Sequence, residues 1–320
     1  MSSMYPAGDP RAALTSAQAV PAAPRSRARA ATVLDLVAEK PDAELPLGGR
    51  TWVVRGQNFV VALTDVRAGE RLAVEGGDDE HIVVVCAGTV SVSHAGHDTD
   101  DETVHAAAST VVIVPPGDST LTAHTDGRVV RIFAAGRAGL AAAARNADDY
   151  RAADPLVALP GTPGRPLSER MRVHRLNDVE PEPGRLGRIL RSSSLMINWF
   201  PDEHQPRDPD RLSPHWHDDF EQCSVTLAGT YVHHLRTTWT SRLADWRPDE
   251  HIQVESPSIT VIPPPLIHTT QAVGDGLHQL LDIFAPPRRD FLDQGWVLNA
   301  ADYAAADDVP ADDTQKRPPA

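Results

Sequence analysis

Lysine, cysteine and long apolar runs are all scarce in this chain, and each scarcity excludes something. Cys86 and Cys223 are the only cysteines in 320 residues, too few for a disulfide scaffold, and neither belongs to a CxxC pair. No stretch approaches the roughly 18 apolar residues of a membrane span, so no integral membrane role is expected. Lysine is reduced to Lys40 and Lys316, the formal net charge is −14, and no basic run offsets it. A nucleic-acid partner is therefore not expected, and a highly anionic polymer is a poor substrate. Arg25, Arg27 and Arg29 followed by Ala30 and Ala31 suggest a targeting peptide, but Asp9 interrupts the lead and no apolar h-region follows. The expected location is the cytoplasm. What the chain has in excess is histidine, 14 in all.

The length suffices for about two domains with separate cores, and short strands dominate the pattern. Runs rich in β-branched residues cover 51–63, 81–86, 110–114, 224–227, 231–235 and 259–262, punctuated by Gly, Pro and Asp as in an all-β sandwich or barrel. Helices are expected only at 31–40, 138–147 and near 290–294. The segment 154–183 is Pro-rich and reads as a linker. The two halves repeat each other in order. Glu80–Thr89 aligns without a gap on Glu221–Thr230, Val111–Pro116 on Ile259–Pro264, and Asn146–Tyr150 on Asn299–Tyr303. Duplication explains three ordered matches better than chance. The organisation expected is 1–45 disordered lead plus short helix, 46–150 first β-domain, 151–185 linker, 186–303 second β-domain and 304–320 disordered tail.

The second half carries His215–Trp216–His217–Asp218–Asp219–Phe220–Glu221, then Gly229, then Pro263–Pro264–Pro265–Leu266–Ile267–His268. His215 and His217 are two apart, so on a strand both imidazoles point to one face. Glu221 follows after a tight turn, Gly229 suits a turn that needs positive φ, and the prolines precede a strand bringing a third imidazole. Three neutral imidazoles and a carboxylate make a site for a divalent ion such as Fe2+, Mn2+, Zn2+ or Ni2+. An isolated HxH carries no weight in so His-rich a chain; the full string does.

That string resembles the two cupin motifs, HxHx(3)E…G and PxGxxH, and the duplication resembles the bicupins. The resemblance runs from about Thr51 to Phe291. It implies two tandem cupin-like barrels (double-stranded β-helix, or jelly roll) with few short helices, and one metal held by His215, His217, Glu221 and His268. Two departures stand out: Pro265 replaces the motif glycine, and Gly229 stands one residue late. In the first half Val74, Gly76 and Thr120 stand opposite the histidines and only Glu80 remains. His81, His105 and His124 do not match the spacing. The first barrel is accordingly expected to be a scaffold or lid without a metal.

Around the site, one of His233 and His234 should face the lumen as acid, base or donor, and Arg236 or Arg191 is placed to clamp a carboxylate. Trp199, Phe200 and Trp239 are candidate pocket walls, and 237–255 is a long loop without a counterpart in the first half. Cys223 shares the face of Glu221 by alternation and is expected to pack. Three functions fit: a mononuclear iron dioxygenase or oxidase acting on a small polar or phenolic acid; a metal-dependent isomerase, epimerase or lyase of a sugar acid or keto acid; and a bicupin that binds a small ligand without turnover. Fe2+ is the ion expected for the first. Exposed sheet edges would be covered by a homodimer or by pairing of the two halves.

Overall fold

The computed structural model describes residue 10 and residues 29–95, 101–161, 163–180 and 182–304. Most of the lead and the tail beyond Ala304, both expected to be unstructured, lie outside the described residues. Strands Arg172–Arg175, Thr110–Val114, His81–Ala87, Gly127–Ala134, Phe59–Val66, Arg50–Arg55 and Ala43–Glu44 form, in that order, a seven-stranded sheet. It faces a four-stranded sheet of Arg71–Val74, Asp118–Ala123, Thr89–Ala95 and Glu102–Ala107. The second half repeats the plan. Its six-stranded sheet runs Thr32–Asp35, Ser258–Ile262, Gln222–Ala228, Gln279–Phe284, Met196–Trp199, Arg188–Arg191. Its three-stranded sheet runs Glu250–Val254, Thr230–Arg236, Ile267–Val273. The chain thus has the all-β, two-barrel bicupin fold, with two short α-helices among the described residues, Ala138–Ala143 and Arg289–Asp293. Neither helix is long and apolar enough to cross a membrane, among the described residues.

The two large sheets share one apolar cluster, which takes Trp52, Phe59, Ile82 and Val130 from the first and Leu190, Trp199, Val225 and Ile283 from the second. Side chains alternate across a strand, so the other face of each sheet lines its own barrel. In the first barrel that face is mostly apolar: Val83, Val85, Val112 and Val129 pack together, with His81 and Arg131 at one end. This is why Ile82–Val85 reads as an unbroken apolar run, buried on both faces. In the second barrel it is polar. Gln222, Ser224 and Thr226 point inward while Cys223, Val225 and Leu227 face the first half.

The expected helix at 31–40 is instead a strand, Thr32–Asp35, paired antiparallel with Ser258–Ile262. The open edge of a β-sheet outweighs a weak local helix preference, and β-branched Thr32 and Val33 suit it. Arg172–Arg175, inside the expected linker, covers the edge strand Thr110–Val114 of the first barrel in the same way. The helix expected to reach 147 stops at Ala143, and Ala147–Tyr150 is a 3-10 turn. Between them the chain is drawn onto the sheet, where the Arg145 N–H donates to the Val53 carbonyl.

A pair of pseudo-symmetric clamps ties the halves together. Glu80 accepts from the Ser193 N–H at 2.7 Å and the Tyr303 hydroxyl at 3.0 Å, and pairs with Arg172. Glu221 accepts from the Gln57 N–H at 2.5 Å and the Tyr150 hydroxyl at 2.8 Å. Asn146 and Asn299 each close a two-bond bridge to one backbone residue, Arg55 and Arg191 respectively. The guanidinium of each of those arginines lies over Tyr150 (5.0 Å) or Tyr303 (4.4 Å).

Candidate metal centre

The three histidines of the motif converge. His215 precedes the sheet and forms an isolated bridge with His268, with backbone hydrogen bonds of 3.0 and 2.7 Å. Ring centroids are 4.4 Å apart for His215 and His268, 5.1 Å for His215 and His217, and 5.2 Å for His217 and His268. Their nitrogens lie within 4.8 Å of one another. A carbonyl oxygen only accepts, so the contacts of His215 Nδ1 with the Ser213 carbonyl (2.9 Å) and of His268 Nδ1 with the Leu266 carbonyl (3.0 Å) place a proton on each Nδ1. Each Nε2 then carries the lone pair. Backbone partners on the remote nitrogen are the usual means of fixing a ligand imidazole. His217 is held neutral, far below the usual imidazole pKa, by burial first and then by Arg288 and the other two imidazoles. Phe220 stacks on its ring at 4.2 Å, and the Arg288 guanidinium lies over Phe220, Phe284 and Phe291.

Glu221 does not join them. The expectation that it completes the set is corrected by the alternation of its strand: with Cys223 and Val225 it faces the first half, where its carboxylate serves the clamp. The side chain that turns inward is the next one. Gln222 Oε1 lies 2.9 Å from His217 Nε2 and 3.4 Å from His268 Nε2. Two donors about 2.1 Å from one ion and at right angles to each other are about 3 Å apart, so these separations match neighbouring ligands of a single ion. The amide is oriented by its neighbours. Gln222 Nε2 donates to Ser224 Oγ at 3.1 Å, and Ser224 Oγ donates to Asp282 Oδ1 at 2.6 Å. With Nε2 committed to that chain, Oε1 must point at the imidazoles. Three neutral imidazoles and one amide oxygen fit a divalent transition ion.

Of the two histidines on Thr230–Arg236, His233 is the one inside. It is 1% exposed, its Nδ1 contacts Thr270 Oγ1 at 3.1 Å and its buried Nε2 has no partner in the protein. Burial, then the nearby His268 and His234, lower its pKa to about 4, so it is neutral above that pH. His234 and Arg236 fall on the outer face by alternation, which corrects both as site residues. His234 contacts His251 and Gln271, and Arg236 makes a two-pronged ion pair with Asp249. Arg191 belongs to the interdomain clamp. Trp199 is interdomain core, and Trp239 is 64% exposed and stacked on Trp246; of the three expected walls only Phe200 lines the cavity. Cys223 packs in the core between the sheets.

A cavity of about 600 Å³ opens onto this centre, reaching His215, Gln222, His268, Tyr231 and Asp282. Its wall carries unpartnered buried polar atoms, Thr269 Oγ1 and His278 Nδ1. On the same row of the sheet, both amide atoms of Asn198, beside Asp282, and the hydroxyl of Thr260, beside Ser224, are likewise unpartnered. Buried polar groups are normally satisfied, so such a set marks space for a polar ligand or water. Asp282 and the inner row went unnoticed in sequence; the alternation Gln222, Ser224, Thr226 was the signal available.

Opposite this centre the first barrel has Val74 and Gly76. The partner of His268 is Ser119, not Thr120, because Ser119 pairs with Val74 as His268 bridges His215. The turn before His268, where Pro265 replaces the motif glycine, is made with a cis Pro264–Pro265 bond.

No protein-family model matches this sequence, and no curated protein matches it significantly. Among solved structures, the fold is similar to that of oxalate decarboxylase from Lactobacillus farciminis in its formate complex. There the TM-score is 0.55 and the identity 12%, over 80% of this chain and 86% of that one. For oxalate decarboxylase from Bacillus subtilis at pH 4.6 the TM-score is 0.53 and the identity 11%, over 79% and 76% of the two chains. At this identity the likeness establishes the fold, not the reaction.

Proposed function

We propose that the second barrel is a mononuclear metal-dependent enzyme site that moves a proton on a small polar substrate, as an isomerase, epimerase or lyase does. The observation that carries this reading is the neutral donor set: His215, His217, His268 and Gln222 leave the full charge of a divalent ion uncompensated. Such an ion supplies Lewis acidity to a carbonyl or oxyanion oxygen. Three groups of the chain then have distinct tasks. Asp282 is a carboxylate on the cavity wall, and in this reading it takes or returns the proton. Ser224 holds Asp282 and Gln222 in one chain of hydrogen bonds. Tyr231 and Phe200 wall the cavity beside it.

The second reading, a dioxygenase or oxidase, is supported by the open positions that four donors leave on a six-coordinate ion. Fe2+ serves that reading, and Mn2+, Zn2+ or Ni2+ serves the first. Two experiments divide them. Metal analysis of protein purified without added ions should find close to one ion per chain, lost in His215→Ala; equal metal in both would remove the site. Incubation in D2O with keto acids and sugar acids should give deuterium incorporation without oxygen uptake. Oxygen uptake without exchange would favour the second reading.

A further inference from the structure

The two barrels carry opposite charge at matching positions. Arg131 pairs with Val83 on the first large sheet as Asp282 pairs with Ser224 on the second, and Val83 and Ser224 are equivalent in the internal repeat. His81 likewise stands where Gln222 does. The first barrel therefore presents a guanidinium and an imidazole where the second presents a carboxylate and an amide.

That guanidinium is uncompensated. Arg131 is 9% exposed, its Nε is buried without a hydrogen-bond partner, and it makes no ion pair among the described residues. Arg137 is a second cation nearby, and its charge is offset in part by Asp79, whose burial-raised pKa it lowers, whereas no acidic group among the described residues acts on Arg131. The Arg131 and Arg137 guanidiniums lie 5.8 and 5.5 Å from the Phe133 ring, and His81, itself 3% exposed, stacks on that ring at 5.2 Å. Arg137 is pinned by the Glu75 carbonyl and lies against Gly77, where any Cβ would overlap its Nη2. His94 is held by the Pro116 carbonyl. The Arg131 pKa falls to about 10 through burial and then Arg137, and His81 is kept neutral by burial and both arginines. A buried cation without a counter-charge is costly, and a bound anion removes that cost.

We propose that Arg131, Arg137 and His81 form a binding site for a small carboxylate in the first barrel, independent of any metal in the second. The planar guanidinium fork matches a carboxylate, and the Phe133 ring beside both guanidiniums favours a small, planar anion. The site replaces the charge of a metal ion with a fixed organic cation.

The test is thermal denaturation of the full chain with rising sodium acetate, at constant ionic strength made up with sodium chloride. The parent melting temperature should rise and saturate, whereas Arg131→Met should give a flat response. The variant should also match or exceed the parent in chloride alone, because it removes an unpaired buried charge. Arg137→Gln should weaken acetate by about tenfold. It provides the readout should Arg131→Met fail to fold, and Arg236→Gln, on an outer ion pair, should leave the response unchanged. A flat parent response overturns the proposal. So does an equal rise in parent and Arg131→Met, since acetate on a metal in the second barrel would act on both alike.

Discussion

Substituting Glu221 separates two roles that the motif assigns to one residue. Its carboxylate is 1% exposed and accepts from the Gln57 N–H at 2.5 Å and the Tyr150 hydroxyl at 2.8 Å. A hydrogen bond to a buried charged group contributes about 1.5–3 kcal/mol. In Glu221→Gln the remaining oxygen accepts from the Gln57 N–H and the new NH2 donates to the Tyr150 hydroxyl oxygen, so both contacts persist but lose the strength of a charged acceptor. Part of this is offset, because burial already raises the Glu221 pKa despite both bonds and the neutral amide escapes that penalty. The expected loss is about 2 kcal/mol, equivalent to a melting temperature lower by about 4–8 °C at the sensitivity of domains somewhat smaller than this chain. Tyr150→Phe should lose about 1 kcal/mol by itself, and the double variant less than the sum, because the two side chains share one bond. Metal content should be unchanged in all three. Gln222→Ala should do the reverse, losing metal. The assays are thermal melts and elemental analysis of the same preparations. Loss of metal from Glu221→Gln with an unchanged melting temperature would refute the assignment, and with it the inward orientation of Gln222.

Two further outcomes follow from the same geometry. Ser224→Ala frees the Gln222 amide to rotate and should weaken metal binding about 10–100-fold, measured by competition with a chelator; unchanged affinity would show that the relay through Asp282 does not orient the ligand. His81 has a folded-state pKa of about 3 against 6.5 unfolded, so the unfolded chain takes up a proton that the folded chain refuses. Its contribution to stability is complete above about pH 6.5 and is lost towards pH 3, at up to about 1.4 kcal/mol per pH unit. In carboxylate-free buffers His81→Phe should lower the slope of stability against pH by about one proton between pH 4 and 6. Urea titrations giving parallel slopes would contradict this.

How much of this was legible beforehand depends on which interaction decided each element. The fold and the three histidines were readable because strand alternation and the spacing of His215, His217 and His268 are local properties. The strand Thr32–Asp35 was not, since its partner, Ser258–Ile262, lies more than 220 residues away and nothing nearby announces it. The Glu221 error has a more instructive origin. The motif reading assumed that a glutamate four residues past His217 must share the imidazoles' side, but Glu221 precedes Gln222–Ala228, whose apolar alternates Cys223, Val225 and Leu227 face the other half. Extending that alternation back by two places puts Glu221 on the interface, a deduction available from the residues alone. The repeat pointed the same way. Its matched pairs Glu80 and Glu221, Asn146 and Asn299, Tyr150 and Tyr303 are the clamp residues, and the histidines are not among them. What the two halves share is therefore the apparatus that joins them. The chemistry lies where they differ: polar side chains and imidazoles line one barrel, valines and an arginine the other. In a duplicated chain the likeness between halves is evidence about assembly, and the departures from it locate the site.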